Sequence, residues 1–251
     1  MMTIALQVVK EKLRGKASLW VMGVGMILMV IVSSGDSLSI NGIKITTFEQ
    51  RIPVAMAINT FLGSLVALMT SIQTIPLVIE RKTSHLILSR GFNRRLYTFS
   101  LALGNVIASF IMMLLINTTL LILVLIFEEW TNLFSILLSI AIVSINVACL
   151  SAIMSVLSLF VPTFLSSIVG VILYFIGVFH GPLLVFVQAI QGFGSIVLSS
   201  IMNLIPNLSS VQKQASHALL ELPLDPYPIF VMLLYLYLAL AATLIGMRKD
   251  A

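Results

Sequence analysis

Charged residues in this sequence fall in clusters, separated by long apolar stretches. Stretches free of Asp, Glu, Lys and Arg run over 17–35, 52–79, 96–127, 130–212 and 226–247. A helix needs about 20 mostly apolar residues to cross the hydrocarbon core of a bilayer. Four of the stretches each hold one span, and the 83 residues of 130–212 must hold at least two. Pro162 divides that stretch, because proline disfavours helix in the residue before it. The pattern predicts spans at 18–34, 53–79, 98–127, 133–159, 164–180 and 228–247. The fifth is expected to end at the breaker His180-Gly181-Pro182. Beyond it, 183–206 is apolar but interrupted by Gln188, Gln191, Gly192, Gly194, Asn203 and Pro206. That reads either as a seventh span or as short helices that enter one leaflet and return. Backbone takes the second course only where it packs on protein or lines a cavity.

Two segments outside the spans carry helical periodicity. In 1–17, Ile4, Val8, Val9 and Leu13 share a face and the basic residues lie elsewhere, which predicts an interfacial helix flat on the membrane. In 206–222, Leu208, Val211, Ala215, Leu219 and Leu222 recur at helical spacing, and Pro223 and Pro226 follow. This second helix is expected to cap the bundle from outside, so that 183–222 forms a re-entrant or extracellular element.

Composition excludes a soluble domain. Of the 251 residues 59% are hydrophobic and 9% charged, against roughly 25% charged in an ordinary soluble domain. One cysteine leaves no disulfide framework and no zinc cluster built on paired cysteines. Charge sets the orientation. With six spans, 11 of the 14 basic residues share one side: Lys10, Lys12, Arg14, Lys16, Arg81, Lys82, Arg90, Arg94, Arg95, Arg248 and Lys249. Positive-inside bias makes that side, with both termini, cytoplasmic. A seventh span would weaken the asymmetry. The apolar run after Lys16 is longer than a signal-peptide core, so an uncleaved first span is expected.

The most patterned polar segment is 80–97. It reads Glu80-Arg81-Lys82-Thr83-Ser84-His85-Leu86-Ile87-Leu88-Ser89-Arg90-Gly91-Phe92-Asn93-Arg94-Arg95-Leu96-Tyr97. This resembles the region of ABC-2 type transporter permeases in which a Glu ends span two and a Leu-Ser-Arg-Gly turn leads to an Arg-x-x-Tyr ending. The matching positions are Glu80, Leu88, Ser89, Arg90, Gly91, Arg94 or Arg95, and Tyr97, while Ser84 and Asn93 depart from the family's Gly and Ser. Lys10-Glu11-Lys12-Leu13-Arg14, Leu204-Ile205-Pro206-Asn207-Leu208 and Met247-Arg248-Lys249-Asp250 are similar to that family's entry to span one, its Pro-centred element before the last span, and its chain ending.

The resemblance implies an all-α integral membrane permease of six spans, with an interfacial N-terminal helix and a cytoplasmic coupling helix. It implies a multi-pass protein of the bacterial plasma membrane that exports a peptide, antibiotic or lipid-like substrate. Its partners would be an ABC ATPase subunit that carries ATP and Mg, a second permease copy or paralogue, and the lipid membrane, with no nucleic acid. The coupling residues it implies are Glu80, Arg81, Leu86, Leu88, Arg90, Gly91, Arg94, Arg95 and Tyr97. No cofactor would be bound by this chain, and none of its residues would do bond chemistry.

The only Gly-Lys, Gly15-Lys16, lacks the rest of a phosphate-binding loop, so energy must come from another subunit or an ion gradient. Gradient-driven transport generally places ionisable groups in the membrane, and no Asp, Glu, Lys or Arg falls deep in any span. An enzyme lacks its motifs: His85, His180 and His217 are isolated and Cys149 reads as a small buried hydrophobe. A non-transporting immunity or sensor subunit stays open. Asn59, Gln73, Asn105, Asn117 and Asn146 are the candidates for lining a path; amides in spans more often bond helix to helix.

Overall fold

The computed structural model describes residues 2–34, 38–40, 43–45, 48–80, 93–126, 133–189 and 193–245. Ten helices lie among them: α1 (Met2–Arg14), α2 (Lys16–Ser34), α3 (Phe48–Glu80), α4 (Arg94–Ile126), α5 (Leu133–Phe160), α6 (Thr163–Val178), α7 (His180–Ala189), α8 (Phe193–Asn203), α9 (Leu208–Leu219) and α10 (Pro226–Ala242), followed by a 3₁₀ turn at Thr243–Ile245. The fold is all-α apart from one hairpin between α2 and α3. There β1 (Leu38–Ile40) and β2 (Ile43–Ile45) pair antiparallel, Leu38 opposite Ile45 and Ile40 opposite Ile43.

Three helices are long and apolar enough to cross a membrane alone: 53–78, 94–123 and 133–160. Three bent pairs (α1 with α2, α6 with α7, α8 with α9) raise the number to six if each counts as one span. By length and composition this is a multi-pass membrane protein. The distribution of side chains agrees. Apolar groups such as Trp20, Ile31, Phe134, Phe164 and Phe186 face outward, while hydroxyls and amides such as Ser71, Asn105, Ser151 and Ser155 are buried. Lipid is a solvent for the first set, and the second must find partners inside.

α5 is the central strut, packed against α3, α4, α9 and α10. Its serines let the neighbouring helices approach closely. Ser151 meets Ser71 of α3 at 2.7 Å. Asn105 of α4 accepts from Thr74 Oγ1 at 2.8 Å and donates to Ser155 Oγ at 3.0 Å, so one amide ties three helices.

Several expectations are corrected. α4 begins at Arg94, so Arg94, Arg95 and Tyr97 belong to its first turn and not to a loop. Asn93 caps it, its Oδ1 accepting from the Arg95 amide at 3.0 Å. As expected, the helix beginning at Thr163 ends beside the breaker, at Val178, and His180-Gly181-Pro182 opens α7 at an 80° bend. Pro182 sits in the first turn, where its missing N–H would have had no helical partner. The α1 face read as lying on lipid is turned to protein: Ala5, Val8 and Val9 are buried, with Ile75, Tyr97 and Leu101 packed around Val8. Gly104 of α4 allows this approach, since a Cβ there would stand 2.7 Å from Val8 Cβ and 2.9 Å from the Ala5 carbonyl oxygen.

The helix expected to cap the bundle is also misplaced by the sequence reading. α9 runs antiparallel along α5, with Ser139 Oγ donating to the Ala215 carbonyl at 2.7 Å and Asn146 Nδ2 to the Leu208 carbonyl at 3.0 Å. Asn146 lies 13 residues into α5, about 20 Å along its axis. α8 joins α9 at a 52° bend, a geometry that fits either a broken span or a re-entrant loop. Asn207 caps the buried start of α9, its Oδ1 accepting from the Ser210 amide at 3.0 Å.

Candidate functional site

The first region to consider is the basic end of the bundle. Residues 81–92 lie outside the described residues, and with them Arg81, Leu86, Leu88, Arg90 and Gly91 of the expected coupling set. Glu80 closes α3. Arg94 and Arg95 are exposed on the first turn of α4, whereas Tyr97 is buried against α1 and is a packing residue at this end. α1 is pinned there by Lys12, whose Nζ donates to the Thr70 carbonyl at 2.9 Å. Burial pushes the Lys12 ammonium below its ordinary pKa, and the neighbouring Glu11 carboxylate opposes that shift. Between α1, α3 and α4 lies a groove of about 210 Å³ lined by Gln7, Glu11, Lys12, Thr74 and Tyr97.

The five amides proposed for a path separate into different environments. Gln73 is exposed on α3. Asn105 is the three-helix tie described above. Asn117 donates to Met113 O one turn back, at 2.9 Å. Asn59 is fully buried with neither amide atom hydrogen-bonded among the described residues, near the point where α3 meets α2 at Gly25. Asn146 lines a cavity in the bundle.

That cavity lies between α3, α5, α6 and α9, is partly open, and has a volume of about 230 Å³. Its polar lining is Thr60 and Ser64 of α3, Asn146 of α5, Tyr174 of α6, and Ser209 and Gln212 of α9. Each helix presents its groups by spacing: Thr60 and Ser64 are four residues apart and Ser209 and Gln212 three, so each pair shares a face. The Tyr174 ring packs against Phe61 at 5.9 Å and its hydroxyl meets Ser64. Gly177 lets α6 reach α9, because a Cβ there would stand 2.8 Å from Leu208 Cγ and 3.0 Å from the Pro206 carbonyl oxygen. Apart from Asn146, sequence reasoning missed these residues. Single hydroxyls in apolar runs carry no signal until the depth of α9 is known.

His180 is buried with Nε2 3.1 Å from Met202 O, joining α7 to α8, and His217 Nδ1 lies 3.2 Å from Pro223 O. Cys149 is a buried free thiol. Among the described residues no three His, Cys, Asp or Glu side chains gather to hold a metal. No known family model matches the chain, and no curated protein is similar to it.

Proposed function

We propose that this chain is the permease subunit of an ATP-driven transporter of the ABC-2 type, exporting a peptide, antibiotic or lipid-like substrate. It would pair with a second permease copy or paralogue in a bacterial plasma membrane. A separate ATPase subunit would supply the energy and dock on 80–97. The observation that carries the reading is the construction of the basic end. Arg94 and Arg95 stand exposed at the head of a 33-residue helix whose next inward residue, Tyr97, is clamped between α1 and α3. A push on that turn passes along α4, and through Val8 and Ile75 into α1 and α3.

The test is purification of the tagged chain in mild detergent after crosslinking in intact membranes, with mass spectrometry of what co-elutes. A stoichiometric partner bearing a phosphate-binding loop is expected. Arg94→Glu with Arg95→Glu, or Glu80→Ala, should lose that partner or its coupling to transport while membrane insertion is kept. Recovery of the chain alone, or unchanged partner binding and transport in all variants, would overturn the proposal.

A further inference from the structure

We infer that the groove between α1, α3 and α4 binds a phospholipid whose headgroup carries a primary ammonium, with the phosphate on Lys12 and Tyr97 and the ammonium toward Glu11. This does not depend on the transport reading. The groove is partly open, has a volume of about 210 Å³, and its polar lining is Gln7, Glu11, Lys12, Thr74 and Tyr97. Thr74 is spent: its one hydroxyl proton lies between Thr70 O and Asn105 Oδ1. Lys12 is not. Its ammonium has three protons and gives one to Thr70 O, with no carboxylate at ion-pair distance among the described residues. Tyr97 is 3% exposed, and its hydroxyl bonds to nothing among the described residues, yet it is not one of the atoms sealed off from the space around the protein. Gln7 and Glu11 stand exposed one turn apart on α1. The groove therefore offers unspent donors on a cation and a hydroxyl, and a separate carboxylate.

Depth points to lipid. α2 has 19 residues, about 28 Å, which nearly matches a hydrocarbon core of about 30 Å. Lys16 at its start stands at the edge of that core, and Lys12, one turn earlier, at the level of the headgroups. A half-buried ammonium with protons to give is matched by an anionic oxygen, since charge-assisted bonds are the strong ones, and a phosphate diester has a second oxygen for Tyr97. Glu11 selects among headgroups: it repels one of net negative charge and attracts an ammonium. Lys10, Arg14, Arg94 and Arg95 are exposed outside the lining; they gather anionic lipid of any kind, an attraction that salt screens. Size agrees. A cavity of about 150 Å³ holds benzene, so about 210 Å³ takes about eight heavy atoms, the size of phosphoethanolamine. Ile4, Leu77 and Leu101 give the glycerol end an apolar wall.

The test follows the thermal unfolding midpoint of the full-length, delipidated chain in detergent at physiological salt. The probes are phosphatidylethanolamine, phosphatidylglycerol, free phosphoethanolamine and inorganic phosphate. At ten times Kd phosphatidylethanolamine should raise Tm by about 3–5 °C and saturate, with weaker responses to the other three. Tyr97→Phe keeps the ring against Val8 and Ile75 and, without lipid, the wild-type midpoint, but should raise the apparent Kd at least five-fold. Lys12→Met should abolish the response, and Tyr97→Phe decides alone if that variant does not fold. Glu11→Gln should bring the two lipids to equal affinity. The proposal is overturned if phosphatidylethanolamine does not shift wild type, if phosphatidylglycerol or a free phosphate matches it, or if Tyr97→Phe or folded Lys12→Met responds as wild type does.

Discussion

Lys12 Nζ donates to the carbonyl oxygen of Thr70 at 2.9 Å, which ties the N-terminal helix to the interior of a helix 58 residues away. The bond sits where burial disfavours the ammonium, so the folded-state pKa lies below the ordinary 10.5. The unfolded chain then binds more protons than the folded one between the folded pKa and 10.5. Stability therefore rises as pH climbs through that window. Lys12→Met should remove this dependence. Denaturation midpoints from pH 7 to 10.5 check it: a wild-type curve as flat as the variant's refutes the assignment.

Asn105 and Asn59 should respond to mutation in opposite directions. Asn105→Leu loses two interhelical bonds and is expected to destabilise by about 1–3 kcal/mol. Asn59→Val removes a fully buried amide with no partner among the described residues and should raise stability by about 1 kcal/mol. Unfolding of both variants in one detergent settles the comparison.

Two glycines at similar contact distances should differ in cost. A methyl at Gly104 meets Val8 Cβ at 2.7 Å and the Ala5 backbone oxygen at 2.9 Å, neither of which can swing aside. Gly104→Ala should cost about 1–3 kcal/mol and loosen α1, read as faster proteolysis before Gly15. At Gly170 the nearest atom is the terminal methyl of Met154, at 2.5 Å, and a methionine end can rotate away. Gly170→Ala should cost less than half as much.

Glu221 carries φ 55°, left-handed backbone that follows α9 and is closed by the Leu222 amide bonding His217 O at 2.9 Å. That geometry favours glycine. Glu221→Gly should stabilise by about 0.5–1 kcal/mol, even after losing the long 3.4 Å contact from Ser135 Oγ. An unchanged or lower unfolding midpoint would contradict it.

What the sequence revealed and what it hid follow from the range of the forces involved. The helices at 53–78, 94–123 and 133–160 were legible because hydrophobic length alone defines a span, and the Pro162 break was legible because proline acts on its own neighbours. Helix starts were less so: capping by Asn93 and by Asp225, whose Oδ1 accepts from the Tyr227 amide at 3.0 Å, shifts boundaries by a few residues. The hairpin at 38–45 was missed although Asn41-Gly42 is a strong turn signal between its strands. The amphipathic face of α9 was read correctly and its location was not, because an apolar stripe fits an interface as well as it fits α5. Only Ser139 and Asn146, contributed from afar, decide between them.

The last helix brings bilayer thickness into this picture. α10 has 17 residues, about 25 Å, and the three-residue 3₁₀ turn after it adds about 6 Å. Among the described residues together they come close to a hydrocarbon core of about 30 Å, while α3 and α4, at about 50 Å, overreach it. Hydrophobic mismatch in a thicker membrane therefore falls first on α10. Its end is held by Thr98 Oγ1 donating to Thr243 O at 2.9 Å. If α10 crosses the bilayer, a change in acyl-chain length would reach the first turns of α4 through that bond, beside exposed Arg94 and Arg95.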